Sequence, residues 1–257
     1  MKKYPFLSMA FIIGFFALLI VSGTLFHREK INTKPGKNVT EESAPEVIVP
    51  ETGVPEASVP EVSVQEKKSQ FKSVIIPAIN EVYSDLMRQY QEVLESVQTG
   101  ENMDKLAALR KEYKVTNNAE LLMALKPHPR SIAIAQAALE SSWATSRFFK
   151  EANNVFGVWS HNKNDARLAA GKKRGEKTIW VKKYRSIEDS IRDYYRTLAR
   201  GDAYKEFRVL KMETDDPYEL VKELNLYSEK REEYSEKLAT IIRYNKFDIY
   251  DQQKTIL

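Results

Sequence analysis

The chain has 257 residues, 40 Lys and Arg against 36 Asp and Glu, and a formal net charge of +4. It has no cysteine, which excludes disulfides, thiolate nucleophiles and thiolate metal sites. Its three histidines, His27, His128 and His161, form no compact ligand cluster, so no metal site is expected.

Lys2 and Lys3 precede an uncharged apolar run from Pro5 to Phe26. A membrane-spanning helix needs roughly 20 such residues, and its positive flank stays in the cytoplasm. The run therefore predicts a transmembrane anchor over residues 1–27, with the inner membrane as partner and the body in the periplasm. A cleaved signal peptide, ending near Val21-Ser22-Gly23, is the rival reading and exports the body equally.

Residues 28–70 read as a polar spacer. Pro45, Pro50, Pro55 and Pro60 recur every five residues, each followed by a glutamate. Prolines at that spacing forbid a helix, and the like charges favour an extended, polyproline-like chain.

The folded body starts near Phe71. Phe71, Val74, Ile75, Ala78, Ile79, Val82 and Leu86 recur at helical steps, a pattern that runs to about Val97. Further helices are expected over Met103–Tyr113 and Asn118–Leu125, the latter with Asn118 as cap. Lys126-Pro127-His128-Pro129 breaks the chain.

Next comes an alanine-rich, largely apolar helix from Arg130 to about Trp143. Apolar on most sides, it belongs at the centre of a bundle. Glu140 lies in its last turns, where burial and the helix dipole both oppose an anion. Both effects raise a carboxyl's pKa, as a general acid requires. An ordinary glutamate paired with Arg130 or Arg147 is the alternative.

Residues 135–143 read AQAALESSW, followed by Ser146-Arg147-Phe148 and Asn153-Asn154-Val155-Phe156-Gly157-Val158-Trp159. This resembles the AQAALESGWG, SRF and NNLFG signature of the bacterial endo-β-N-acetylglucosaminidase family, which includes the flagellar rod-associated peptidoglycan hydrolases. The tryptophan after NNxFG is most similar to the Bax-like proteobacterial branch. A weaker match continues to about Asp251. The family's glycine after the signature tryptophan is Ala144 here, a departure that a helical conformation would tolerate.

The resemblance implies a mainly α, lysozyme-like helical bundle with a small β-hairpin lobe over the cleft. It makes residues 115–257 the glucosaminidase domain and residues 71–114 a helical extension. Glu140 becomes the general acid that cleaves the β-1,4 bond after N-acetylglucosamine in peptidoglycan. Trp143 becomes a wall of the pocket, Asn154, Phe156 and Gly157 its floor, and Trp159 either a sugar-stacking or a packing residue.

The hairpin lobe falls in Asp165–Tyr184, with Gly175 at its turn. Glu176 is its best placed acid for activating water, with Asp165 next. Tyr184–Tyr194 resembles a family element that places Tyr194 near the cleft and otherwise in the core. Ser186 and Asp189 mark a helix start there. Tyr227–Leu238 resembles the family's YATDPNYAxKL stretch, which sets Tyr227 over the reactive sugar or in the packing beneath it. A last helix runs from Tyr234 to about Asn245.

Between Lys163 and Arg185 stand nine Lys or Arg against two acids. This basic stretch is either a steering surface for an anionic polymer or simply solvated. Nucleic acid is not expected as a partner, since the missing aromatic interleave argues against it. No cofactor is implied, because glycoside hydrolysis needs only carboxylates and water. A monomer is expected. A muramidase, a lytic transglycosylase and a non-catalytic peptidoglycan-binding scaffold are the competing functions.

Overall fold

A computed structural model describes residues 63–174, 177–228 and 231–252, with only the backbone at 172–174 and 177. The first element, α1, spans Val64–Thr99. Ser63 caps it by accepting a hydrogen bond from the Glu66 amide, so the helix begins inside the stretch expected to be spacer. Phe71, Ile75, Ala78, Ile79 and Val82 are buried along one stripe, as the periodicity requires, while Val74 faces outward.

Helices α2 (Met103–Tyr113) and α3 (Asn118–Leu125) follow within the expected bounds. The cap of α3 is Asn117, one residue earlier than expected, whose Oδ1 accepts from the Glu120 amide at 2.9 Å. Helix α4 (Arg130–Glu140) lies at the centre of the molecule, with every residue from Arg130 to Ala138 buried. Full burial of a side chain such as Ile132 or Ile134 contributes about 1.5–3 kcal/mol.

Helix α5 (Arg147–Ala152) leads to an antiparallel hairpin of β1 (Arg167–Arg174) and β2 (Lys177–Lys182). Arg167 pairs with Lys182 and Ala169 with Trp180, and an irregularity then shifts the register before Lys173. Gly171 sits in that irregularity at φ +76°, a conformation suited to glycine.

Helix α6 (Ile187–Arg200) is capped by Ser186, whose Oγ accepts from the Asp189 amide, as its sequence indicated. A 3₁₀ turn (Asp202–Tyr204), α7 (Lys205–Glu213), the short α8 (Pro217–Leu220) and a 3₁₀ segment (Val221–Tyr227) come next. The described part ends with α9 (Glu232–Asn245) and a 3₁₀ turn, Phe247–Tyr250. The main core joins α1, α4, α6 and α9 around Ile75, Ile132, Ile191 and Leu238. A smaller core joins α2 and α3 to the far end of α1 through Val93, Leu106 and Leu121.

The mainly α bundle with a small hairpin agrees with expectation; the transmembrane helix does not. Among the described residues no helix is long and apolar enough to cross a membrane. The longest, α1, carries Lys67, Lys68, Lys72, Glu81, Asp85 and Arg88 along its length. The run Pro5–Phe26, on which the anchor rested, and the spacer up to residue 62 lie outside the described residues. The inner membrane as partner and the single-pass placement with a periplasmic body are therefore withdrawn.

Candidate active site

Helix α4 ends at Glu140, three residues short of the expected Trp143. The chain turns there because Ser142, Trp143 and Ala144 all adopt left-handed backbone, with φ of 52°, 60° and 61°. Ser141 stabilises the turn: its Oγ donates to the Ala137 carbonyl at 2.6 Å and accepts from the Ala144 amide at 2.8 Å. Ala144 is thus not helical, contrary to expectation, and its left-handed φ explains why glycine suits this position.

The turn leaves Glu140 as the last residue of a buried helix, partly open to solvent. Burial raises its carboxyl pKa to about 7, against an opposing hydrogen bond from Tyr234. The Tyr234 hydroxyl donates to Glu140 Oε1 at 2.9 Å. It accepts in turn from Gln136 Nε2, also at 2.9 Å.

Four tyrosines surround the acid. Tyr194 of α6, Tyr204 and Tyr227 of the 3₁₀ segments and Tyr234 of α9 all have raised pKa values, first through burial and in part through the Glu140 charge. They remain neutral hydroxyls. The Tyr204 hydroxyl is buried without a hydrogen-bond partner among the described residues. Arg147 of α5 pairs with Glu151 at 3.1 Å, and Arg130 lies over the Tyr83 ring and contacts Asn80.

The other expected site residues fall into distinct places. Tyr227 is 1% exposed and stacks on Tyr234 with centroids 5.5 Å apart, beside the acid but within the packing. Trp143 turns toward α1, edge-on to Phe71 at 5.1 Å, with the Lys68 ammonium 4.8 Å from its ring. Phe156 is buried and stacks face to face on Tyr194 at 4.0 Å. Tyr194 is itself buried.

Asn154 staples its loop to the hairpin. Its Nδ2 donates to the carbonyls of Val158 (2.9 Å) and Lys182 (2.8 Å), and its Oδ1 accepts from the Val158 amide (2.9 Å). Gly157 follows at φ +66°, with open space where a Cβ would sit, so backbone conformation alone favours glycine. Trp159 is partly exposed and bridges to Val181 of β2. The hairpin is further tied to α6, where Asp193 accepts from Lys182 Nζ (2.8 Å) and from the Tyr184 hydroxyl (2.7 Å).

Glu176 lies outside the described residues. Asp165 accepts from the Ser160 hydroxyl at 2.9 Å. A cavity of about 290 Å³ opens between α1, α3, α6 and α7, with His128, Lys126 and Lys211 on its wall; Glu140 is not part of that lining. Among the described residues no group of three or more His, Asp or Glu could hold a metal ion.

Sequence reasoning missed Tyr234, Gln136 and Tyr204. Gln136 carried a signal: a polar amide four residues before Glu140, in a helix otherwise too apolar to expose it, must find buried partners. Tyr234 is the second tyrosine of the stretch in which only the first had been singled out.

The sequence family described as mannosyl-glycoprotein endo-beta-N-acetylglucosaminidase matches residues 116–247, just over half of the chain. The chain belongs to this glucosaminidase family. The exo-glucosaminidase LytG of Bacillus subtilis is 30% identical over 130 residues, 48% of this chain and 46% of LytG. The chain thus spans about half the length of that relative.

Among solved structures, the catalytic domain of the autolysin Auto from Listeria monocytogenes is 20% identical, with a TM-score of 0.46 over 75% of this chain and 92% of that one. The glycoside hydrolase domain of FlgJ from Salmonella typhimurium is 21% identical, with a TM-score of 0.39 over 56% and 87%. At these scores the two structures carry no weight for function.

Proposed function

We propose that the chain is a peptidoglycan hydrolase that cleaves the β-1,4 bond after N-acetylglucosamine, with Glu140 as general acid. The observation that carries this reading is a carboxyl raised to about 7, at the end of a central helix and held by a tyrosine hydroxyl. Such a group keeps its proton near neutral pH and can deliver it to the leaving glycosidic oxygen. The sugar then develops oxocarbenium character.

Supporting the bond assignment are the family's description and the glucosaminidase named among its relatives. The tryptophan after the NNxFG element, Trp159, supports a place in the Bax-like branch. Partly exposed beside the hairpin, it is suited to stack on a pyranose ring. Asn154, Phe156 and Gly157 shape the groove from below by fixing the loop that presents Trp159. The proposed water-activating base is Glu176, which lies outside the described residues.

The test is digestion of purified peptidoglycan, with reduction of the products and mass spectrometry of their ends. Reduced glucosamine ends support the assignment; muramic acid ends, or anhydromuramic ends, would replace it with a muramidase or a lytic transglycosylase. Long glycan fragments early in the digest mark an endo enzyme, disaccharides alone an exo enzyme.

A further inference from the structure

Gln136 is fully buried one turn before Glu140. Its Oε1 accepts from the Tyr194 hydroxyl at 2.5 Å, and its Nε2 donates to the Tyr234 hydroxyl at 2.9 Å. His128 Nε2 lies 2.9 Å from the Tyr194 hydroxyl. Tyr194 has one hydroxyl hydrogen, already given to Gln136, so it must accept from His128. His128 therefore carries its proton on Nε2. Hydrogen bonds run in one direction, from His128 through Tyr194, Gln136 and Tyr234 to Glu140.

None of His128, Tyr194, Gln136 and Tyr234 is more than 2% exposed, so bulk water does not compete for these bonds. His128 is also stacked on Tyr195 at 4.5 Å, which fixes its ring plane.

We propose that His128, Tyr194 and Gln136 are positioning residues whose hydrogen bonds commit the single hydroxyl hydrogen of Tyr234 to Glu140. A hydroxyl between an amide and a carboxyl can give its hydrogen to either. Gln136 turns its N–H toward Tyr234 because its oxygen is occupied by Tyr194. With the amide turned over, the Gln136 oxygen would compete for the Tyr234 hydrogen, and Glu140 would face a lone pair.

The consequence falls on the carboxylate left after the acid has given up its proton. A donor already in place stabilises that anion in a buried setting. An amide does not relay protons at neutral pH, so the chain orients and does not conduct.

The titratable groups facing Glu140 are Tyr194, Tyr204, Tyr227 and Tyr234, all neutral. Those facing His128 are Tyr194 and Tyr195 of α6 and Lys211 of α7. Burial and then the Lys211 charge hold His128 well below its usual pKa, so it stays neutral near pH 7.

The catalytic meaning rests on Glu140 being the acid; the bond directions do not. The test is NMR on the full chain, observing the His128 ring nitrogens and the Glu140 carboxyl carbon, the latter identified by its loss in Glu140→Gln. The expected result is neutral His128 protonated at Nε2. In Tyr194→Phe the Glu140 titration should move upward by about 0.5–1 unit, some three- to tenfold in ionised fraction at fixed pH. A bare Nε2 in the native chain, which requires no variant, overturns the proposal. So does a folded Tyr194→Phe chain that melts earlier while its Glu140 titrates as before, the signature of a merely structural tyrosine. Activity retained in Glu140→Gln would remove the acid assignment and leave the carboxyl titration as the decisive measurement of the hydrogen-bond directions.

Discussion

The Tyr234 hydroxyl meets Glu140 Oε1 at 2.9 Å across 94 residues of sequence, joining the third residue of α9 to the last residue of α4. Burial pushes the carboxyl toward its protonated form, and this one hydrogen bond draws it back. Their balance near pH 7 underlies each prediction about the acid.

Tyr234→Phe removes the donor that favours the ionised form, so the Glu140 pKa rises. A general acid works while protonated, and activity falls as pH climbs through its pKa. The alkaline limb of the pH–rate profile should therefore shift upward by about one unit, equivalent to about 1.4 kcal/mol. The maximal rate should fall, since the carboxylate formed on proton delivery has lost its partner. Profiles of the two proteins on soluble glycan fragments provide the check.

The same raised pKa has a cost in stability. Folded Glu140 titrates near 7 against a reference value of 4.5, a difference of 2.5 units. The folded state holds the proton more tightly, so this stabilisation is complete below about pH 4.5 and is lost as pH rises through 7. At about 1.36 kcal/mol per unit the loss is at most about 3 kcal/mol. Glu140→Gln, which cannot ionise, should thus melt higher than the native chain at pH 8 and nearly with it at pH 4. Thermal unfolding at the two pH values reads this directly.

Ala144 sits at φ +61° with no glycine to absorb the left-handed backbone. Left-handed geometry costs a non-glycine residue about 1–2 kcal/mol, partly returned by the unfolded chain's smaller freedom. Ala144→Gly should stabilise by up to about 1 kcal/mol, a rise of about 2–4 °C in melting temperature. Calorimetry of the variant would show it, and a lower melting temperature would contradict the role assigned to this turn.

Asn154 makes three hydrogen bonds, two of them buried, to the backbone of its own loop and of β2. Asn154→Ala leaves the Val158 amide without its acceptor, while the Val158 carbonyl keeps the Lys182 amide, at a cost of about 1–3 kcal/mol. The effect should appear in thermal unfolding and in faster amide exchange across Val158–Lys182.

The sequence made the helices legible where periodicity and caps coincide. The stripe of α1, the bounds of α2 and α3, and Ser186 opening α6 all follow from side-chain spacing and short polar caps. The alanine-rich character of α4 correctly implied a central helix. Its end was misjudged because nothing in SSWA announces three successive left-handed residues.

Glu140 was legible because a lone carboxylate stands out on an apolar helix. Its partner was not, because a tyrosine 94 positions away is brought to it only by the docking of α9 on α4. Likewise Asn154 and Tyr194 could be marked as important from motif position. Only the folded chain shows that one staples a loop and the other is buried in a hydrogen-bonded chain. The membrane anchor rested on residues 5–26 alone, and no described helix takes its place.

The most direct measurement is glycan cleavage by the native chain and by Glu140→Gln, run side by side on purified peptidoglycan from pH 5 to 9. The account predicts reduced glucosamine ends from the native chain, declining above about pH 7. It predicts at least about a 100-fold loss in a Glu140→Gln chain that is folded and still binds glycan. A folded Glu140→Gln chain with near-native rates would contradict it and place the acid elsewhere.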